Sequence, residues 1–112
     1  MIKASIAGGT GYTAGELIRI LLNHPEVEIE SVLSTTSAGT EVAEVHRDLI
    51  GDTSLKFSEK PSDPDVIFLC LGHGLSREFL STTELPERCR IIDLGNDFRL
   101  EPDFGKKRFV YG

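Results

Sequence analysis

The stretch Gly8-Gly9-Thr10-Gly11-Tyr12-Thr13-Ala14-Gly15 lies between a short apolar run, Ile2–Ala7, and a segment whose apolar residues recur at helical spacing. A strand that passes through a glycine-rich turn into a helix is the arrangement that binds the pyrophosphate of a dinucleotide. Glycines let the backbone approach the phosphates, and the helix start supplies N–H groups and a positive dipole end. The pattern GxGxxA from Gly9 matches the dinucleotide fingerprint, and GxxGxxA from Gly8 matches a looser variant equally well.

Strands and helices alternate along the rest of the chain. The first helix is predicted over 11–23, and Thr13 and Glu16 have the spacing of a capping box at its start. Strands are predicted over 27–33, 65–71 and 90–94, with a weak one over 54–57, and helices over 42–49 and 75–81. The strand over 65–71 is apolar on both faces, so helices should cover both sides of the sheet. We therefore predict an α/β fold with a doubly wound parallel sheet, a Rossmann-type NAD(P)-binding domain.

Composition narrows the class of protein. The 112 residues are 39% hydrophobic and 27% charged, which is typical of a single globular domain. A net charge of −6 argues against nucleic-acid or membrane-surface binding, because both prefer cationic protein faces. No apolar stretch has the length of a membrane span and no secretory signal is visible, so a cytoplasmic protein is expected. The cysteines and histidines lack metal-ligand spacing, and no metal site is expected.

Ligands of such a sheet bind beyond the carboxyl ends of its strands. Four segments rich in glycine or hydroxyl side chains are predicted to lie at this rim, namely 8–13, 34–39, 72–74 and 95–99. An NAD site usually has an acidic residue at the end of the second strand, for the ribose 2′-hydroxyl. Here Glu28 and Glu30 fall inside that strand, and its end reads Ser34-Thr35-Thr36-Ser37-Ala38-Gly39. The sequence therefore favours NADP; the alternative is a polar loop that contacts nothing.

The candidate reactive side chains are few. Cys70 lies in an apolar strand and is expected to be a buried, protonated thiol, and Cys89 a strand-edge residue, so neither is predicted to be catalytic. His73 is the histidine best placed to line a cofactor groove, or to cap the next helix. Asp97 and Arg99 follow the last strand, where they either bind a substrate anion or brace the following segment.

Taken together, these segments resemble the N-terminal part of the N-acetyl-γ-glutamyl-phosphate reductases, NADP-dependent enzymes of arginine biosynthesis. Matches run in order over the whole chain, and the Gly-Tyr-Thr turn and the Asp-Phe-Arg-Leu segment are the most specific. The matching segments are 8–17, Ser37-Ala38-Gly39, 65–69, His73-Gly74, Ile92-Asp93-Leu94, Asp97-Phe98-Arg99-Leu100 and Tyr111-Gly112.

The resemblance implies a reaction and a missing part. In that family a cysteine thiolate attacks an acylated glutamyl phosphate, and NADPH reduces the resulting thioester to the semialdehyde. The cysteine belongs to an Asn-Pro-Gly-Cys segment of a second domain, which is not in this chain. We therefore expect residues 1–112 to be an NADP-binding domain, cut before the catalytic domain, with 97–112 starting the linking segment. The chain alone should be inactive, and the full-length enzyme a homo-oligomer.

The resemblance also assigns cofactor contacts. The pyrophosphate would be held by Gly8, Thr10, Gly11, Tyr12 and Thr13. The turn ending at Gly39 would face the 2′-phosphate through Ser34 and Ser37, and the nicotinamide side would be bordered by Leu71, Gly72 and His73. One departure weakens the NADP assignment, because many members have an arginine where this chain has Thr36.

Three alternatives remain open. Aspartate-semialdehyde dehydrogenases share the fold, cofactor and chemistry, although their glycine turn usually lacks the Tyr12-Thr13 pair. A carrier-protein-linked glutamyl-phosphate reductase of lysine biosynthesis is compatible with this portion of the chain. A stand-alone NADP-binding module with a protein partner is the alternative of another class.

Overall fold

The computed structural model describes residues 1–72, 74–95, 103–104, 107–108 and 110. Within these residues five parallel strands form one sheet, and two short antiparallel strands pair separately. The elements in chain order are β1 (Ile2–Ala7), α1 (Tyr12–Leu22), β2 (Val27–Leu33), α2 (Val42–Val45), a 3₁₀ turn (Arg47–Leu49), β3 (Phe57–Ser58), β4 (Val66–Leu69), α3 (Leu75–Thr82), β5 (Arg90–Asp93), β6 (Asp103–Phe104) and β7 (Lys107–Arg108).

The central strand of the sheet is β1, and the strand order is β3-β2-β1-β4-β5. Ile2 of β1 lies opposite Val27 of β2. On the other side, Ala4 of β1 lies opposite Val66 of β4. The chain builds outward from β1 to β3 and then returns to begin β4 on the far side of β1. Open α/β sheets bind ligands where the strand order reverses in this way. The predicted doubly wound parallel sheet is confirmed.

Helices cover both faces of the sheet. On one face α1 buries Ile18 against Ile6 of β1 and Val32 of β2. On the other face, α3 buries Leu80 near Leu69 of β4. Each such apolar side chain contributes about 1.5–3 kcal/mol when fully removed from water. None of the described helices combines the length and apolarity needed to cross a membrane.

Several local predictions were wrong. The capping box is absent, because Gly11 is the N-cap of α1 and places Thr13 inside the first turn. Glu16 pairs instead with Arg19 on the surface of the helix. The helix predicted over 42–49 is divided at His46 into α2 and the 3₁₀ turn. After residue 97, where the sequence predicted no element, the structure has the β6–β7 pair.

Asp65 connects three segments near the amino ends of the strands, at the end of the sheet opposite the glycine turn. Its Oδ2 accepts a hydrogen bond of 2.9 Å from the backbone N–H of Lys3, and its Oδ1 accepts one of 3.2 Å from Arg88 Nε. The Lys3 N–H, followed by the Arg88 side chain, holds the pKa of Asp65 below its usual value. Because these bonds favour the ionised carboxyl, they stabilise the fold only while Asp65 is charged.

Asp65→Asn is therefore expected to lower the melting temperature at neutral pH. A carboxyl whose pKa is depressed in the folded state contributes stability above its unfolded pKa, and loses it as pH falls through the folded pKa. The difference between wild type and variant should accordingly shrink as the pH falls below about 4. Thermal melts across the acid range measure this, with Asp52→Asn as the surface control. A difference independent of pH would contradict the charged role of Asp65.

Candidate dinucleotide-binding site

A cavity of about 560 Å³ opens at the carboxyl ends of β1 and β2. Its walls include four parts of the chain. They are the glycine turn, the end of β2, Leu71 just beyond β4, and the C-terminal end of α3. The rim predicted to bind a ligand is thus concave. Four of the predicted site residues line the cavity, namely Gly8, Thr10, Ser34 and Leu71.

Two glycines seat the turn against the sheet. Gly8 has φ +77°, and a Cβ there would lie 2.6 Å from the carbonyl oxygen of Cys70. A Cβ on Gly9 would lie 2.4 Å from Cγ1 of Val32, and the Gly9 N–H donates a hydrogen bond of 3.0 Å to Leu33 O. Since no side chain fits in either place, glycine is required for the turn to pack on β2 and β4.

Gly11 differs, because open space surrounds it. Its φ is −80°, and a Cβ there would meet no atom within 4 Å. No side chain caps α1, and its first turn has no acidic residue. The first N–H groups of a helix have no partner within the helix, and together with the dipole they attract anions. The helix start therefore fits a phosphate group, although the exposed Tyr12 and Thr13 do not line the cavity.

The turn after β2 presents hydroxyl groups to the same cavity. Ser34, Thr35 and Thr36 line it. The Ser34 hydroxyl accepts a 3.1 Å hydrogen bond from the Ser37 N–H, which holds the turn together. Gly39 has φ +88° and donates its N–H to Phe57 O. Ser37 and Gly39 shape the turn from outside the cavity wall, and their contact with a cofactor stays a prediction.

The opposite end of the rim is described only in part. Leu71 lines the cavity, whereas Gly72 is exposed and accepts a hydrogen bond from the Leu75 N–H at the start of α3. His73 lies outside the described residues, as do Asp97 and Arg99. The roles expected of these three side chains stay predictions.

Two charged residues in the cavity were missed by the sequence analysis. Glu59 and Lys60 follow β3 and line the cavity beside the hydroxyl-rich turn. The sequence predicted that no carboxylate lies at the end of β2, and Glu59 brings one to the cavity from the end of β3 instead. The available signal was the weak strand before these residues, because a third parallel strand brings its carboxyl end to the same edge.

His46 was also missed. The sequence places it on a short helix with no role, yet its ring is buried and Nε2 lies 2.6 Å from the carbonyl oxygen of Gly9. A carbonyl only accepts, so Nε2 is the donor of this bond. No local pattern indicated the contact, which joins residues 37 positions apart.

Neither cysteine suits nucleophilic chemistry. Burial, and then the charge of Asp93, raise the pKa of the Cys70 thiol to about 11. Cys70 is therefore a protonated thiol near neutral pH, as expected, although it is only partly buried at the edge of the core. Cys89 is buried in the core beneath α3.

Asp93 connects β5 to α3. Its carboxylate accepts hydrogen bonds from the Ser76 hydroxyl and the Gly95 N–H.

Gly11→Ser should separate folding from phosphate binding. A serine N-cap accepts hydrogen bonds from the first turn and favours the helix over glycine by a few tenths of a kcal/mol, roughly, so the melting temperature should hold or rise. The same hydroxyl competes with a phosphate for those N–H groups. The affinity for NADPH should fall by about tenfold, or roughly 1.4 kcal/mol, as measured by isothermal titration.

Adenosine 2′-phosphate is the control ligand for this variant, because it lacks the pyrophosphate. Its affinity should be the same for Gly11→Ser and wild type. An equal loss of affinity for both ligands would contradict the assignment of the helix start to the pyrophosphate.

Comparison with known proteins identifies relatives over the full chain. The N-acetyl-gamma-glutamyl-phosphate reductases of Christiangramia forsetii and Flavobacterium johnsoniae are 52% and 53% identical to it. That of Bacteroides thetaiotaomicron is 48% identical. Each alignment covers 100% of this chain and 35% of the relative, so the chain spans about a third of the length of these proteins.

The fold also matches a solved structure, that of aspartate semialdehyde dehydrogenase with NADP from Candida albicans. The TM-score is 0.73 at 23% identity, over 92% of this chain and 32% of that one. The model of the family described as "Semialdehyde dehydrogenase, NAD binding domain" matches residues 3–112. With its parallel sheet, glycine turn and rim cavity, the chain belongs to this family of NAD-binding domains of semialdehyde dehydrogenases.

Proposed function

We propose that this chain binds NADP(H) within a longer enzyme that reduces N-acetyl-γ-glutamyl phosphate to the semialdehyde and releases phosphate. The observation that carries the proposal is the identity of 46–53% across the whole chain to reductases of that name. The longer enzyme would be a homo-oligomer, as the family resemblance implies, and we place it in the cytoplasm as part of this proposal.

The residues of this chain fit the binding part of such an enzyme. The nicotinamide, when bound, supplies the hydride. The start of α1 at Gly11 offers N–H groups to the pyrophosphate, and the glycine turn lets it approach the backbone. The thiolate that forms the thioester must come from elsewhere, because Cys70 stays protonated and Cys89 is buried. Binding and bond making thus belong to different parts of the proposed enzyme.

The preference for NADP over NAD is proposed from the charges and hydroxyls of the cavity. Ser34, Thr35 and Thr36 offer three hydroxyl groups on one wall. Lys60 is the one cation among the described residues that line the cavity. In this proposal it supplies, from the end of β3, a positive charge that many family members have as an arginine at the position of Thr36. Glu59 opposes this charge, so the preference depends on which of the two side chains meets the 2′-phosphate.

Lys60→Met should weaken NADPH binding and leave NADH binding unchanged. An exposed ion pair contributes up to about 1 kcal/mol, which corresponds to roughly a fivefold change in affinity. Glu59→Gln should have the opposite effect on NADPH. Titrations with both nucleotides at low and high salt measure these changes, and salt should reduce both. Lys56→Met is the control, because Lys56 is exposed and lies outside the cavity. Tighter binding of NADH than NADPH by the wild type would overturn the NADP preference.

The chain alone should bind NADPH without turning over substrate. The assay is oxidation of N-acetylglutamate semialdehyde with NADP⁺ and phosphate, followed by nicotinamide absorbance, because the reaction is reversible. Turnover by the 112-residue chain would overturn the proposed division of roles.

In the longer enzyme, activity with aspartate semialdehyde and none with the N-acetylglutamate compound would favour the related dehydrogenase. A coding sequence that continues to an Asn-Pro-Gly-Cys segment supports the enzyme, and one that stops after residue 112 supports the stand-alone module.

A further inference from the structure

We propose that His46 is a positioning residue for the phosphate-binding turn, and that its hydrogen bond to Gly9 presents the Thr10 N–H to the cofactor. The inference rests on the proposed binding of a dinucleotide. His46 does not line the cavity and would act through the turn rather than by touching the cofactor.

The imidazole of His46 lies against both ends of the segment 9–15, which comprises the glycine turn and the first turn of α1. Its Nε2 donates to the Gly9 carbonyl oxygen at 2.6 Å. At the other end, a Cβ built on Gly15 would lie 2.5 Å from His46 Nδ1 and 2.9 Å from Cε1. The ring therefore occupies the space that an alanine side chain would need in the first turn of α1. Glycine disfavours a helix relative to alanine. The space taken by the imidazole ring explains why position 15 is nevertheless a glycine.

The segment that carries His46 is itself anchored. Val42 and Leu49, on either side of it, are fully buried in the core beneath α1. The backbone N–H of His46 donates to Val42 O, and its carbonyl accepts from the Leu49 N–H, both at 2.9 Å. The ring is thus held by a packed support, which is what a precise position of the Gly9 carbonyl requires.

The orientation of the Gly9 carbonyl determines where the next N–H points. The peptide bond is planar and trans, so the carbonyl of Gly9 and the N–H of Thr10 point in opposite directions. With the carbonyl directed at His46, the Thr10 N–H is directed away from His46, and Thr10 lines the cavity. Without the histidine, rotation of this peptide would cost less and the donor would lose its fixed direction.

His46→Ala and His46→Gln test this role together. The alanine variant lacks the donor, and its affinity for NADPH should fall by tenfold or more. The glutamine side chain carries an amide N–H₂ and should recover most of that loss. Affinity for adenosine 2′-phosphate, which lacks the pyrophosphate, should be unchanged in both folded variants. Wild-type affinity for NADPH in folded His46→Ala, or an equal loss in the glutamine variant, would overturn the proposal.

Gly15→Ala provides a second test that does not require His46→Ala to bind cofactor. In the wild type the added methyl group meets the ring, so this variant should lower both the melting temperature and the affinity for NADPH. In the His46→Ala background the space is free, and Gly15→Ala should raise the melting temperature through its better helix propensity. Gly11→Ala, which adds a methyl group in open space, should shift the melting temperature equally in both backgrounds.

The two tests distinguish this inference from the proposed function. A wild-type chain that binds neither NADPH nor NADH would overturn the proposed function, while the melting temperatures would still report the contact between His46 and Gly15. The other result separates the role of His46 from the proposed function. If the wild type binds NADPH but Gly15→Ala changes the melting temperature in the same direction in both backgrounds, only the role of His46 is overturned.

Discussion

The close approach of the Gly8 and Gly9 backbone to the sheet is the constraint on which the site depends. A side chain on Gly8 would meet the Cys70 carbonyl beyond β4, and one on Gly9 would meet Val32 on β2. Both neighbours are fixed by the parallel pairing of their strands with β1. The turn therefore shares the rigidity of the three central strands, and a turn already in place loses little conformational entropy when a ligand binds.

In the proposed site, backbone groups and side chains would bind different parts of the cofactor. The uncapped start of α1 offers N–H groups, which suit the pyrophosphate common to all such cofactors. Under the proposed function, the choice between NADP and NAD would depend on the side chains beyond β2 and β3, because the hydroxyls beginning at Ser34 and the opposed charges of Glu59 and Lys60 line the same cavity. A phosphate contact made by backbone groups tolerates substitution on the surface of α1, whereas the preference between NADP and NAD can change with one charged side chain.

The sequence predicted the main elements because their signals are local. β1, β2, β4 and β5 occur within two residues of their predicted bounds, since apolar runs and alternation reflect the burial of each strand by itself. Two local predictions failed for different reasons. Gly11, in an extended conformation, is itself the N-cap of α1, so the helix begins at Tyr12 and Thr13 lies inside its first turn. The helix over 42–49 is interrupted at His46, whose ring turns inward to Gly9.

The sequence by itself determined the fold class, the parallel order of alternating elements and the position of the glycine turn. Each of these follows from periodicity and from residues next to one another in the chain. Only the tertiary structure decided which distant residues share the site. The pairing of β3 with β2 brings Lys60 to the cavity that Ser34 lines, and the packing of the segment after β2 brings His46 within hydrogen-bond distance of Gly9. These contacts depend on strand register and on the packing of remote segments, and local periodicity carries no information about either.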